Sequence, residues 1–226
     1  MPGIELPGRF AFCKDLLRPF VELEEGVMRT IGLTGSIACG KSNVSETLAQ
    51  LGAVIIDGDL LSRELTVPGG PALPAIRAAF GNEVFFPDGT LNRRALGSVV
   101  FGNDQARATL DGIMQPMLRE MILQRMAQAA QAKAPLCVLD MPLLFEAGLD
   151  SLCHSVWCVW LPREIQLQRL MARDGFTPEE AEARLRSQLS ADEKAARAHV
   201  VIDTSGSIEY TKSMIPPLYA REIAQA

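Results

Sequence analysis

The sequence predicts an α/β fold in which helices cover both faces of a parallel β-sheet. Apolar runs typical of buried strands recur along the chain, as in RTIGLT at 29–34 and VVID at 200–203. Patterns typical of helices separate these runs, and strands that alternate with helices form parallel sheets. A glycine-rich segment also joins the first run to a helix, which is a common connection in such folds.

The first part of the predicted sheet comes from residues 29–65. The strand at 29–34 is followed by a helix from 41 to 51 with apolar or small residues at helical spacing. A second buried strand covers 53–56 and a short helix covers 60–65. The sequence Pro-Gly-Gly-Pro at 68–71 then interrupts regular structure.

Residues 71–130 change in character and predict a helical insert. Helical patterns occur at 72–80, 92–100 and 104–130, and the insert contains no strong strand pattern. We therefore expect this subdomain to be separate from a core formed by 28–70 and 131–226.

The remaining elements return to the alternating pattern. Strands are predicted at 136–140, 156–161 and 200–203, with helices at 163–173, from 178 to about 197 and at 207–224. Thr177 is a good helix cap and Glu180 follows three residues later, which is the spacing of a capping box. The helices between 163 and 197 are expected to form a lid.

Composition excludes several functional classes. The chain of 226 residues has a net charge of −5, which disfavours a broad nucleic-acid-binding surface, and it has no apolar stretch long enough to span a membrane. The five cysteines are scattered without a CxxC pair, which favours free thiols in a reducing cytoplasm. Residues 1–27 lack the features of a signal peptide and predict an extension outside the core; a short helix over 11–21 is the alternative.

The segment GSIACGKS at 35–42 matches G-x-x-x-x-G-K-[ST], the phosphate-binding loop. Its glycines allow backbone N–H groups to converge on phosphates, and the helix that follows offers its positive end. Lys41 is expected to reach the outer phosphates and the Ser42 hydroxyl to hold Mg²⁺. The sequence therefore predicts a P-loop NTPase-type sheet; a glycine-rich turn that happens to precede a lysine is the alternative.

Carboxylates follow two predicted strands at the edge where such sheets bind ligands. Asp57 and Asp59 follow the second strand, and one of them could accept a proton from an attacking hydroxyl or help order Mg²⁺, although Asp59 also lies at a position where it could cap the next helix. Asp140 ends the strand at 136–139, where a carboxylate often holds Mg²⁺ through water. A strand-end carboxylate without a metal role is the alternative for Asp140.

The predicted lid is rich in arginine. Arg169 and Arg173 are four residues apart and therefore share one helix face. A helical pair at this place could close over a nucleotide and exclude water. We favour a functional role for Arg173, whereas Arg184 and Arg186 are expected to lie on a solvated face.

Together these segments resemble the dephospho-coenzyme A kinase family over nearly the whole chain from Met28 onward. The resemblance rests on IGLTGSIACGKS, LGAVIIDGDLLSREL, DGTLNRRALGSVVF, DMPLLFEAG, QRLMARDGFTPEEAEARLRSQ and HVVIDTSGS. It implies ATP-dependent phosphorylation of the ribose 3′-hydroxyl of dephospho-coenzyme A, with Mg²⁺ as cofactor. Another P-loop kinase, for a nucleoside monophosphate or a different small alcohol, is the alternative.

The resemblance also implies residue roles. Asp59 would activate the hydroxyl, and Lys41 and Arg173 would meet the ATP phosphates. The implied ATP-binding residues are Gly35, Ser36, Ile37, Ala38, Cys39, Gly40, Lys41, Ser42, Asn43, Asp203 and Thr204. The implied acceptor-binding residues are Arg63, Arg93, Pro142, Leu143, Leu144, Phe145 and Glu146, and the helical insert 71–130 would help to hold the acceptor.

Three positions depart from the family pattern. Gln115-Pro116 replaces a usual His-Pro pair, Asn43 replaces a common threonine, and Thr204 replaces a frequent asparagine. A nucleotide-dependent switch is a different class of protein, but the chain lacks the Asn-Lys-x-Asp signature of guanine-specific switches. The sequence does not predict an oligomeric state.

Overall fold

The protein is described by a computed structural model over residues 28–225. The predictions made for residues 1–27 lie outside these described residues. Within them, the chain divides into two compact units: the first is formed by residues 28–56 and 129–225, and the second by residues 57–128.

A five-stranded parallel sheet of order β2-β3-β1-β4-β5 forms the centre of the first unit and confirms the predicted fold class. The strands are β1 (Thr30–Gly35), β2 (Val54–Asp57), β3 (Cys137–Asp140), β4 (Ser155–Trp160) and β5 (Val200–Asp203). All six residues of β1 are buried because this strand is central and covered on both faces. The order places the carboxyl ends of β1 and β3 side by side.

Helices follow the strands much as the sequence predicts. They are α1 (Lys41–Gln50), α2 (Gly58–Glu64), α3 (Leu73–Phe80), α4 (Arg93–Val100), α5 (Asp104–Gln131), α6 (Arg163–Asp174), α7 (Pro178–Arg186), α8 (Ala191–Arg197) and α9 (Ile208–Ile223). The predicted capping box is present at the start of α7, where the Thr177 and Glu180 side chains each accept from the other residue's backbone N–H. None of the described helices is both long and apolar enough to cross a membrane.

The core of the first unit is built by the strands together with α1 and α9. Ile31, Leu33 and Trp157 from the sheet are fully buried, and Leu48 from α1 and Ile215 from α9 pack into the same cluster. Full burial of an aliphatic side chain of this size stabilises the folded state by about 1.5–3 kcal/mol. This packing fixes the ends of the strands from which the polar residues of the site project.

The second unit, residues 57–128, contains α2 to α4 and most of α5. Its own core includes Leu65, Ile76, Phe85 and Leu96, and an antiparallel bridge joins Phe85 to Leu91. Because Leu65 belongs to this core, the compact unit begins with α2, earlier than the insert predicted from 71 to 130. The role of that insert in acceptor binding stays a prediction.

Candidate active site

The loop between β1 and α1 has a backbone that only its sequence motif can adopt. A Cβ atom on Gly35 would lie 2.5 Å from Cys39 Sγ and 2.7 Å from the Val159 carbonyl oxygen, so no larger residue fits. Gly40 has φ of 82°, in the left-handed region that favours glycine. Close packing therefore requires glycine at position 35, and the backbone conformation favours glycine at position 40.

Ala38 adopts the left-handed region as well, with φ of 62°. A residue with a Cβ in this region costs about 1–2 kcal/mol. Such strain persists only where the surroundings enforce it, and it concentrates at functional sites. The backbone N–H of Cys39 also donates to the Ser36 carbonyl at 3.3 Å, which closes a turn within the loop.

The amino end of α1 differs from those of α7 and α8. Gly40 is its N-cap residue and provides no side-chain cap, and the first turn contains no acidic residue. In contrast, Thr177 begins α7 and Ser190 begins α8 with complete capping boxes. An uncapped helix end retains its partial positive charge and N–H donors, which suits a phosphate group.

Lys41 and Asp140 form an ion pair at the carboxyl ends of β1 and β3. The strand register explains the pairing, because Leu33 of β1 lies opposite Asp140 of β3. The side chains are 17% and 6% exposed respectively. The structure thus brings together two residues that the sequence singles out from segments far apart in the chain.

Ser42 and Asp140 provide a fitting set of oxygen donors for Mg²⁺. Ser42 lies exposed in the first turn of α1, and the Asp140 carboxylate is buried beside the loop. No group of three or more His, Cys, Asp or Glu suited to a metal occurs among residues 28–225. A kinase magnesium ion takes only one or two protein ligands and completes its shell with phosphate oxygens and water.

Thr204 ties the end of β5 to the phosphate-binding loop. Its hydroxyl lies 2.8 Å from the Cys39 carbonyl oxygen and 3.1 Å from that of Trp160. The side chain is buried, so its observed role is to hold the loop. Its neighbour Asp203 is exposed and accepts a hydrogen bond from the Ser205 N–H at 2.8 Å. The adenine contact of this turn stays a prediction.

Helix α6 packs against the loop through two polar residues, Gln166 and Arg169. Gln166 is buried and donates to the Ile37 carbonyl oxygen. Arg169 donates to the Thr204 carbonyl oxygen at 2.9 Å, and its Nη1 lies 4.0 Å from the position of a Cβ on Gly40. The sequence already places Arg169 and Arg173 on one face of α6; the same spacing puts Gln166 on that face, and this signal could have found it.

Arg173 is exposed and forms two hydrogen bonds of 2.8 Å with the carboxylate of its neighbour Asp174. These bonds lower the pKa of Asp174 and raise that of Arg173. These two bonds use Nε and Nη2 of the Arg173 guanidinium. Arg169, four residues earlier on α6, lies beside the loop.

The segment 142–146, which follows β3, mixes buried and exposed residues. Leu144 and Phe145 are buried, whereas the Leu143 side chain is exposed. The Pro142 carbonyl oxygen accepts hydrogen bonds from Thr34 Oγ1, at 3.1 Å, and from the Lys194 ammonium. Within this predicted acceptor segment, Leu143 is therefore more accessible to a ligand than Leu144 or Phe145.

In the second unit, the structure corrects one expectation about Asp59. Helix α2 begins at Gly58, and Asp57 caps it by accepting from the N–H groups of Asp59 and Leu60 at 2.8 and 3.0 Å. The alternative that Asp59 caps this helix is therefore wrong. Asp59 lies exposed in the first turn of α2, and Arg63 is exposed in the same helix.

Arg93 is the first residue of α4, and its guanidinium donates to the Thr66 hydroxyl within the second unit. Its side chain therefore has a protein partner in addition to the acceptor contact implied by the family resemblance. Gln115 precedes Pro116 within the long helix α5, so the departure from the usual His-Pro pair lies in a continuous helix.

Cys39 lies buried within the phosphate-binding loop. Burial raises the pKa of its thiol to about 11, and this outweighs the lowering effect of Lys41. The four cysteines within the described residues are all buried free thiols. The fifth, Cys13, lies outside the described residues.

The parallel sheet, the glycine loop after its central strand and the lysine at the start of α1 define a P-loop nucleotide-binding protein. A sequence profile of the dephospho-CoA kinase family matches residues 29–210. The chain belongs to this family and is therefore a phosphotransferase.

Similar proteins agree with this family assignment. The dephospho-CoA kinase of Geobacter sulfurreducens is 45% identical over 86% of this chain and 98% of its own length. That of Symbiobacterium thermophilum is 46% identical over 83% of this chain and 79% of its own.

Solved structures show the same relationship. A crystal structure from Thermus thermophilus matches with a TM-score of 0.74 and 32% identity, over 86% of this chain and 98% of that one. The dephospho-CoA kinase from Campylobacter jejuni matches with a TM-score of 0.59 and 25% identity, over 88% of this chain and 99% of that one.

Proposed function

We propose that the protein transfers the γ-phosphoryl group of ATP to the ribose 3′-hydroxyl of dephospho-coenzyme A, which gives coenzyme A and ADP. The observation that carries this proposal is the glycine loop 35–42 leading into the uncapped helix α1, with Lys41 beside Asp140. Membership of the dephospho-CoA kinase family supports the choice of acceptor.

ATP binding is assigned to the loop and to the side of α6 that faces it. Phosphoryl transfer requires little covalent catalysis from the protein. It depends mainly on alignment of the reacting groups and on neutralisation of the phosphate charge. Lys41 and the helix end supply positive charge to the phosphates, and Arg169 adds a guanidinium next to Gly40. In this proposal Lys41 exchanges Asp140 for phosphate oxygens when the nucleotide binds.

Mg²⁺ would be held by Ser42 and Asp140 and would neutralise charge on the phosphate oxygens. The pair fits because one hydroxyl and one carboxylate are a usual protein contribution in kinases. In this role the Asp140 carboxylate would exchange the Lys41 ammonium for the metal ion.

We assign to Asp59 the role of accepting the proton from the attacking 3′-hydroxyl. The finding that Asp57, and not Asp59, caps α2 leaves the exposed Asp59 carboxylate available for this task. Acceptor binding is assigned to Arg63, Arg93 and the segment 142–146. Arg173 is assigned to the ATP phosphates from the lid, where it adds to Arg169 after releasing Asp174.

We also propose a cytoplasmic location for the protein. Its buried free thiols support this, because disulfides are rare in the reducing cytoplasm.

The direct test mixes the protein with ATP, Mg²⁺ and dephospho-coenzyme A and detects the product's new phosphate by ³¹P NMR. We expect a 3′-phosphomonoester and an equal amount of ADP. A panel of nucleoside monophosphates and small alcohols distinguishes the alternative kinase activity. The proposal would be overturned if the protein phosphorylated a member of this panel but did not phosphorylate dephospho-coenzyme A.

The same assay tests the role of Asp59. The Asp59→Asn variant should bind ATP nearly as wild type but turn over about 10²-fold more slowly, because it cannot accept the hydroxyl proton. Turnover like that of wild type would remove Asp59 from the mechanism.

A further inference from the structure

Lys194 on α8 is a lysine whose side chain is completely buried, with 0% exposure. Lysine is almost never fully buried without partners, because desolvation of an ammonium is costly. Its Nζ donates to the Pro142 carbonyl oxygen and to Gln188 Oε1 at 3.3 Å, and it lies 3.1 Å from Glu146 Oε1. Three oxygens thus surround one buried cation.

Two of these partners mark the ends of one segment. Pro142 is the first residue and Glu146 the last of the segment 142–146 that follows β3. One ammonium therefore bridges both ends and fixes the path of the backbone between them. Thr34, the residue before the phosphate-binding loop begins, donates to the same Pro142 carbonyl oxygen at 3.1 Å.

Further contacts join this segment to the region that follows the lid helix α7. Glu146 Oε1 also accepts a hydrogen bond from the Leu189 N–H at 2.9 Å. Arg197, three residues after Lys194 on α8, places its guanidinium 4.1 Å from the centre of the Phe145 ring and 3.9 Å from an Asp150 carboxylate oxygen. Helix α8 thus holds the segment with two cations.

We propose that Lys194 is a positioning residue for the acceptor substrate. A side chain with no exposure has no direct route to a ligand, so it acts through the residues it binds. It fixes the segment 142–146 in one shape before the acceptor arrives, and this lowers the entropic cost of binding. The inference rests on the proposed function, which gives that segment to the acceptor.

The test compares Lys194→Met, Lys194→Arg and the matched control Arg197→Met. The control removes the other α8 cation that contacts the same segment but leaves Pro142 and Glu146 with their partner. Steady-state kinetics give kcat and the KM for dephospho-coenzyme A, an ATP titration gives Kd, and a thermal melt reports stability.

For Lys194→Met we expect the acceptor KM to rise about tenfold or more, with ATP Kd within about twofold of wild type. Lys194→Arg should recover part of the loss because it keeps a cation, and Arg197→Met should raise the acceptor KM less than Lys194→Met. A purely structural role would lower the melting temperature and the active fraction without a selective change in the acceptor KM.

Gln188→Leu keeps the test decisive if Lys194→Met does not fold, since it removes one partner of Lys194 and lies outside the segment assigned to the acceptor. It should raise the acceptor KM in the same direction by a smaller factor. Wild-type turnover with an unchanged acceptor KM in the folded variants overturns this inference alone. No turnover of dephospho-coenzyme A by wild type overturns the proposed function and this inference with it.

Discussion

Two ion pairs of similar burial lie near opposite ends of the central strand β1. Lys41 and Asp140, at the carboxyl end, have side chains 17% and 6% exposed. Arg29 and Glu222, at the amino end, have side chains 16% and 9% exposed. By charge and burial alone the two pairs are nearly indistinguishable, yet we assign catalysis to only one of them.

The difference lies in what surrounds each pair. At the amino end, Glu222 accepts from Arg29 at 2.9 Å and from the Trp157 indole N–H at 3.1 Å, and Arg29 also donates to Gln225. At the carboxyl end, Lys41 starts an uncapped helix after a glycine loop. Buried charge is therefore a poor marker of an active site, whereas backbone geometry that can receive an anion is a good one.

Replacement of Lys41 should have the largest effect on catalysis. It therefore distinguishes the function of the Lys41–Asp140 pair from that of the Arg29–Glu222 pair. We expect Lys41→Met to weaken ATP binding and to lower kcat/KM about 10³-fold, because one preorganised charge at the phosphates is lost. ATP titration and steady-state kinetics measure both quantities. An unchanged ATP titration would refute the loop assignment.

The corresponding change at the amino end should affect stability instead. Glu222→Leu removes the acceptor of the Trp157 N–H and the charged partner of the Arg29 guanidinium, which keeps its hydrogen bond to Gln225; this should lower the free energy of unfolding by about 3 kcal/mol. Urea denaturation measures this loss. The kcat of the folded variant should stay within about twofold of wild type, and a loss like that of Lys41→Met would contradict the comparison.

The two arginines of α6, Arg169 and Arg173, provide a further test of the ATP site assigned to the carboxyl end of β1. Arg169→Met should weaken ATP binding about tenfold, because its guanidinium lies beside Gly40 and on the Thr204 carbonyl oxygen. Arg173→Met should leave ATP affinity within about threefold but slow turnover, since Arg173 is paired with Asp174 before it acts. Equal effects of the two variants on the Kd of ATP would show that Arg173 binds ATP without first releasing Asp174.

The smallest expected effect is a pH dependence confined to the amino end. His154 and His199 accept backbone hydrogen bonds from Thr30 and Val156 through Nδ1, at 3.0 Å each. Burial lowers the pKa of both histidines, and Arg29 lowers both further, whereas Glu222 opposes the shift. Their contribution to stability is thus present above the unfolded pKa of about 6.5 and is lost as pH falls below it.

Urea midpoints at pH 7.5 and 5.5 measure this loss in wild type and in the double variant His154→Asn/His199→Asn. An asparagine Oδ1 can accept the same backbone bonds without titrating in this range, so the variant should lose less stability on acidification. Identical losses in both proteins would assign the pH dependence to the carboxylates instead.

Much of the fold could be predicted because its signals are local. The strand runs, the capping box at Thr177 and the glycine loop each depend on residues close together in the chain. The start of α2 was predicted too late, because Gly58 at its first position carries no helix signal. The predicted start at residue 60 therefore places the cap at Asp59, whereas the observed cap is Asp57.

Polar contacts between distant segments could not be predicted in the same way. Gln166 binds the Ile37 carbonyl oxygen across 129 residues of sequence, and Arg29 binds Glu222 across 193. From the helical pattern alone, a lysine such as Lys194 is expected to be exposed to solvent, but tertiary packing buries its side chain completely. The assignment of substrate contacts to the predicted site residues stays a prediction.

The burial of Cys39 has a consequence for the chemical durability of the nucleotide site. Peroxides and electrophiles attack thiolates, and a thiol with a pKa of about 11 keeps its proton at physiological pH. Almost no Cys39 thiolate is therefore present to react with oxidants or alkylating inhibitors. Catalysis should continue under oxidative stress that silences enzymes with exposed, acidic cysteines.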